Sequence, residues 1–134
     1  MKNRKNIIYD DMYFMSLALK EASFAMKHNE VPVGAIIVKN NKIISKAYNK
    51  VKLNKSNLYH AEMIAIKKAN KKLKNEYLND CIMYVTLEPC LMCAGAIYLS
   101  RIKKVVFALK DPKGGALVST NNVFESKELN FKPE

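Results

Sequence analysis

Two short segments carry side chains that fit together chemically: His60-Ala61-Glu62 and Pro89-Cys90-Leu91-Met92-Cys93. If one imidazole and two thiolates serve a single ion, the fold must bring these segments side by side. That requirement constrains the chain more than any other feature. The donor set suits Zn²⁺, which prefers four ligands; three protein ligands leave one position for water, the catalytic rather than the structural pattern. Glu62, next to the histidine, supplies a carboxylate able to carry protons. The combination points to a zinc-activated water attacking an electrophilic carbon.

Spacing adds a structural condition. Cys90 and Cys93 stand at i and i+3 and face the same way if a helix opens there. A helix N-terminus carries partial positive charge and free N–H groups, which favour thiolates, and Pro89 suits entry into a first turn. His60 and Glu62 are i and i+2, so a regular helix would point them roughly 200° apart. They can share a centre only if His60 stands at a helix entrance. Other readings of the cysteines are a redox pair, which has no need of the His-Ala-Glu segment, or a structural zinc site, which needs a fourth ligand. The spare candidates are His28 and Cys81. His28 reads as a cation at a helix C-terminus, and Cys81 as a small core residue.

The chain has 134 residues, 49% of them hydrophobic, which suits a single domain with a full core. Three cysteines, two of them claimed by CxxC, argue against a disulfide framework and for a cytoplasmic setting. The basic start, Met1 to Asn6, runs into Ile7-Ile8 and then Asp10-Asp11 without the apolar stretch of a secretory signal. No run approaches the ~20 apolar residues of a membrane span. The formal charge of +11 attracts phosphates, so RNA or DNA is a natural partner. The excess is nearly all lysine, with only Arg4 and Arg101 as arginines. AT-biased coding produces the same enrichment, so charge leaves both readings open.

Hydrophobic periodicity gives the order of elements. Asp10-Asp11 caps a helix carrying Met15, Ala18, Ala22 and Ala25, ending near His28-Asn29. Val33 to Val38 reads as a strand buried on both faces. Asn40-Asn41 turns it into a returning strand, Ile43 to Tyr48, followed by a polar loop, Asn49 to Asn57. A second helix begins around His60, a strand spans Cys81 to Thr86, a third helix opens at PCxxC, and a strand spans Lys104 to Leu109. Gly114-Gly115 marks a loop. Beyond Leu117 the pattern fades into a tail with little structure of its own. Helices alternating with strands imply an α/β domain, a sheet with helices on its faces.

Thr86-Leu87-Glu88-Pro89-Cys90-Leu91-Met92-Cys93-Ala94-Gly95-Ala96, with His60-Ala61-Glu62, resembles the cytidine deaminase-like zinc deaminases. Glu30-Val31-Pro32-Val33-Gly34-Ala35, Tyr48-Asn49, Arg101-Ile102, Val105-Val106-Phe107 and Asp111-Pro112-Lys113 are similar too, so the likeness spans about residues 10 to 118. The TLEPCxMCAGA stretch is most similar to the adenosine and guanine deaminase branch, above all to the bacterial tRNA adenosine deaminases. The resemblance implies a three-layer α-β-α fold whose central mixed sheet has an antiparallel hairpin and a parallel half. It implies one Zn²⁺ per subunit on His60, Cys90 and Cys93, with Glu62 as proton carrier. It implies that Asn49 hydrogen-bonds the base, that Val31 and Leu87 line the pocket, and that Asp111 and Lys113 touch the flanking ribose and phosphate. The implied reaction is adenosine to inosine at wobble position 34 in a tRNA anticodon loop, by a homodimer. Deamination of a free purine such as guanine and a non-catalytic zinc-stabilised RNA-binding module are the alternatives. Three positions depart from the family. Tyr59 stands where the family has a small residue before the histidine, and its ring at the pocket entrance is expected to narrow the pocket or restack the base. Lys55-Ser56-Asn57-Leu58 lacks an Asp-Pro-Thr. The C-terminal helix of the family is expected to be absent or shortened.

Overall fold

The computed structural model describes residues 7–120, 122–125 and 133–134. A helix, α1 (Asp11–Lys27), precedes a hairpin of β1 (Gly34–Lys39) and β2 (Lys42–Tyr48). A short helix, α2 (Val51–Asn54), leads to α3 (Ala61–Leu73). Then come β3 (Cys81–Leu87), α4 (Leu91–Leu99), β4 (Lys104–Leu109) and a final 3₁₀ turn, Val123–Glu125.

The strands form one sheet in the order β2-β1-β3-β4. β1 pairs antiparallel with both β2 and β3, and β3 pairs parallel with β4. Among the described residues the parallel half is a single strand pair. β1 is central and buried along almost its whole length, as its continuous apolar run requires.

Alternation along the strands divides the core into two layers. Ile36, Val38 and Tyr84 point to one face and pack with Phe14 and Ala18 of α1. Ala35, Ile37, Met83 and Val85 point to the other and pack with Ala61, Ala65 and Ala69 of α3 and Ile97 of α4. The three layers implied by the resemblance are present. α1 begins where expected, with Asp10 accepting a hydrogen bond from the Tyr13 N–H at 2.9 Å. It lies very close to the sheet. A Cβ added at Gly34 would stand 2.1 Å from the Ala18 carbonyl oxygen, so only glycine fits.

One expectation needs correction. The segment after Asn49 is not wholly a loop, because it contains α2. The sequence signal fails because four residues are too few for a periodicity, and the helix is capped from elsewhere. Both carboxylate oxygens of buried Glu30 accept backbone N–H groups of α2, from Lys52 at 2.9 Å and Leu53 at 2.8 Å. The segment beyond Leu117 falls partly outside the described residues. Its described part is held chiefly by bonds to the body. Val123 N–H donates to Ala116, Glu134 N–H donates to Lys103, and the Glu134 carbonyl accepts from Val105.

Candidate metal centre and active site

The site forms where two helix entrances meet. His60 is the N-cap of α3, with extended backbone (φ −69°, ψ 152°), as the i, i+2 spacing demanded. Cys90 is the N-cap of α4, also extended, so Pro89 stands one position before the cap. Cys93 lies in the first turn beyond it and is fully buried. Neither side chain makes a helix-capping hydrogen bond. Both are free to turn inward.

His60, Cys90 and Cys93 place their ligand atoms within 4.8 Å of one another. Cys90 Sγ is 3.6 Å and Cys93 Sγ 3.4 Å from His60 Nδ1. A tetrahedral zinc with Zn–S near 2.3 Å and Zn–N near 2.0–2.1 Å separates sulfur from nitrogen by roughly 3.5 Å. Both observed sulfur–nitrogen distances match that spacing. No fourth His, Cys, Asp or Glu joins the group among the described residues. His28 is instead at the C-cap of α1, its Nδ1 2.8 Å from the Phe24 carbonyl and its ring stacked on Tyr48. Cys81 is buried in the core at the start of β3.

The electrostatics of the cluster follow from its contacts. The Cys90 thiol, hydrogen-bonded by Cys93 and His60, is pulled down to about 4. The Cys93 thiol is pushed up by its bond to Cys90 and by burial. His60 is raised, chiefly by its bond to Cys90. Glu62 stands in the first turn of α3, only 4% exposed. Burial pushes its carboxyl up to about 7, against the opposing pull of its own backbone N–H and of His60. A carboxyl poised near neutrality suits both taking and giving a proton.

A cavity of about 260 Å³ opens onto this centre. His60, Glu62 and Cys90 form its floor, and Val31, Asn49, Leu87 and Asp111 also line it. These expected residues therefore converge. Lys113 does not line the cavity; it is exposed on the loop beyond Asp111. Tyr59 is not in the lining either. Its carbonyl accepts the Lys50 N–H, and Asn57 meets the cavity instead. Asn49 is buried and held at both ends. Its Oδ1 accepts from Val51 N–H at 3.1 Å, and its Nδ2 donates to the Val31 carbonyl at 3.3 Å. One amide hydrogen remains for a ligand.

Sequence reasoning missed Val33, Val51, Asn57 and Glu88 in the lining. Glu88 is the most consequential. It is buried, and its carboxylate accepts N–H groups from Asp111, Leu117, Val118 and Ser119, and the Ser119 hydroxyl. Burial alone would raise this carboxyl. The Ser119 hydroxyl and the Val118, Ser119 and Asp111 N–H groups outweigh it and hold it down at about 2. Its donors lie 23 to 31 residues away, so nothing near it in sequence signals the role.

Residues 8–109 match the model of the cytidine and deoxycytidylate deaminase zinc-binding region. The chain belongs to this deaminase family. The tRNA-specific adenosine deaminase of Aquifex aeolicus is 52% identical to this deaminase over 120 residues, covering 90% of this chain and 80% of that protein. A solved structure from work on A-to-I editing by tRNA:A34 deaminases at the wobble position superposes with TM-score 0.89 and 38% identity. It covers 92% of this chain and 89% of that one. The guanine deaminase of Bacillus subtilis superposes with TM-score 0.74 and 39% identity over 76% of this chain and 66% of that one. The family model names a zinc-binding region, and the donor geometry fits it: zinc is the metal of this deaminase.

Proposed function

We propose that the chain is a single-domain, zinc-dependent hydrolase that converts adenosine to inosine at wobble position 34 of tRNA. The carrying observation is the likeness to a tRNA:A34 deaminase over 92% of the chain, with the three metal donors clustered and His60, Cys90 and Glu62 lining one cavity. The guanine deaminase is as similar in identity but matches less of the chain and superposes less closely.

His60, Cys90 and Cys93 hold the zinc. When bound, the metal acts as a Lewis acid that activates water as a nucleophile near neutral pH. The remaining work falls to this chain's side chains. Glu62 takes one proton from the attacking water and passes it to the ring nitrogen beside C6, then takes the second from the new hydroxyl on C6 and passes it to the leaving amine, so that C6 becomes a carbonyl. A C–O bond forms at C6 of adenine, the C–N bond breaks, and ammonia leaves. Asn49 uses its free amide hydrogen to orient the base. Val31 and Leu87 are the apolar walls against its faces. The cavity is smaller than the 300–1,000 Å³ of drug-sized pockets, which suits one extruded base. Asp111 stands on the rim to meet the flanking ribose, and exposed Lys113 to meet a phosphate.

The anticodon loop is the partner, with the base flipped from its single strand. A second copy of the chain is the other partner. Leu91 (58% exposed) and Leu99 (71%) leave an apolar stripe along α4, beside the site, that a second copy would cover. No described helix is long and apolar enough to cross a membrane. A cytoplasmic location follows from the proposed substrate and the free thiols. The buried carboxylate of Glu62 speaks against a non-catalytic RNA-binding module, since zinc binding does not need it.

The test is incubation of the purified protein with an anticodon stem-loop and with guanine. Inosine in the RNA supports the proposal. Ammonia from guanine alone would replace it with the free-purine reading.

A further inference from the structure

We propose that Glu88 is a positioning residue that clamps the segment 110–120 against the cavity and so sets affinity for the RNA flanking the target base. The inference rests on the deaminase reading above, because Glu88 acts through Asp111, a rim residue of that site.

The geometry has three parts. First, Glu88 has no capacity left for substrate. One oxygen accepts the Asp111 N–H at 3.1 Å and the Ser119 hydroxyl. The other accepts N–H groups of Leu117 at 3.1 Å, Val118 at 2.8 Å and Ser119 at 2.9 Å. Five donors saturate an ionised carboxylate, which offers about four lone-pair sites. Although it borders the cavity, Glu88 does not act on the base.

Second, these donors come from both ends of one loop, which lacks regular secondary structure. Asp111 itself accepts from Lys113 N–H and Gly114 N–H, each at 3.2 Å, so fixing its backbone also fixes the turn carrying Lys113. Ala116 N–H donates to the Pro89 carbonyl at 2.9 Å, which ties the loop to the residue preceding Cys90.

Third, the loop is shaped around the carboxylate. A Cβ on Gly115 would fall 2.3 Å from Glu88 Cδ and 2.4 Å and 2.6 Å from its two oxygens. A side chain there can be accommodated only if the carboxylate leaves its donors. Gly115 and Glu88 are therefore two halves of one device.

The experiment measures kcat and KM on an anticodon stem-loop, zinc content, and amide hydrogen exchange. It uses the zinc-loaded wild type, Glu88→Gln, Gly115→Ala and the double variant. Glutamine turns an NH₂ toward N–H donors and breaks half of the clamp in either orientation. The expected result is a KM raised at least tenfold by each single variant. The kcat stays within threefold, zinc stays at one per chain, and exchange is faster at Asp111 and Leu117 to Ser119. The double variant raises KM by less than the product of the single effects, because both break the same contact. Ser119→Ala, which removes only the hydroxyl donor, gives a smaller rise of two- to threefold and serves if Glu88→Gln does not fold. A kcat loss with KM unmoved overturns the proposal, as does zinc loss in step with activity or a double variant equal to the product. If the wild type makes no inosine, the functional reading fails by itself. The exchange data still decide the clamp, and unchanged protection overturns it.

Discussion

The close approach of helix backbone to Gly34 gives a demanding prediction. α1 rests on β1 at Gly34, where an added methyl would stand 2.1 Å from the Ala18 carbonyl oxygen and 2.6 Å from the Ala22 nitrogen. Both atoms are helix backbone, so no rotamer change relieves the contact. Ordinary carbon–oxygen contact needs roughly 1 Å more, and the interior is too densely packed to give it freely. Gly34→Ala must therefore push α1 off the sheet, loosening Phe14, Ala18 and Ala22 together. Overpacking of this kind costs about 3 kcal/mol, which lowers the melting temperature of a domain this size by about 10 °C. Gly114→Ala is the control. Its methyl would meet only the flexible tip of Asp111, at 3.2 Å, and should cost less than about 0.5 kcal/mol. Thermal and urea unfolding of the zinc-loaded proteins, followed by circular dichroism, measure both. A Gly34→Ala protein as stable as the wild type, or a Gly114→Ala protein equally damaged, would refute the reasoning.

Two further outcomes are expected. His60→Ala and Cys90→Ser should lose zinc by metal analysis and melt at lower temperature, because metal binding is coupled to folding; equal zinc content and equal melting temperature would contradict this. Burial, and then the 2.6 Å hydrogen bond it donates to Asp11, hold the Tyr84 hydroxyl well above its usual ionisation range. Its folded-state value is raised, so the stability it confers is complete below the unfolded value of about 10 and is lost as pH rises through the folded one. Urea titrations above pH 10 should show that loss in the wild type and not in Tyr84→Phe, which should be about 1–2 kcal/mol less stable at pH 8.

The parts of the site that share a sequence neighbourhood were legible without coordinates. The i, i+2 spacing of His60 and Glu62 placed His60 at a helix entrance, because no regular helix aims both at one ion. The i, i+3 cysteines placed the second entrance in the same way. β1 was readable from its continuous apolar run and β2 from the Asn40-Asn41 turn that returns the chain beside it. The residues that shape the rims were not. Glu30 and Glu88 are charged residues inside otherwise ordinary stretches, and their partners lie 22 or more residues away. Charge marks such residues as exposed until the folded backbone supplies the donors that bury them.

The central claim is that Glu62 moves the protons of a hydrolytic deamination on tRNA. It is tested most directly by mapping inosine in cellular tRNA after incubation with the purified, zinc-loaded protein and with Glu62→Gln. The account predicts inosine at position 34 from the wild type. It predicts a rate lower by about 10²–10⁴-fold from Glu62→Gln, at the same zinc content. Equal inosine from both proteins, or none from the wild type, would contradict it.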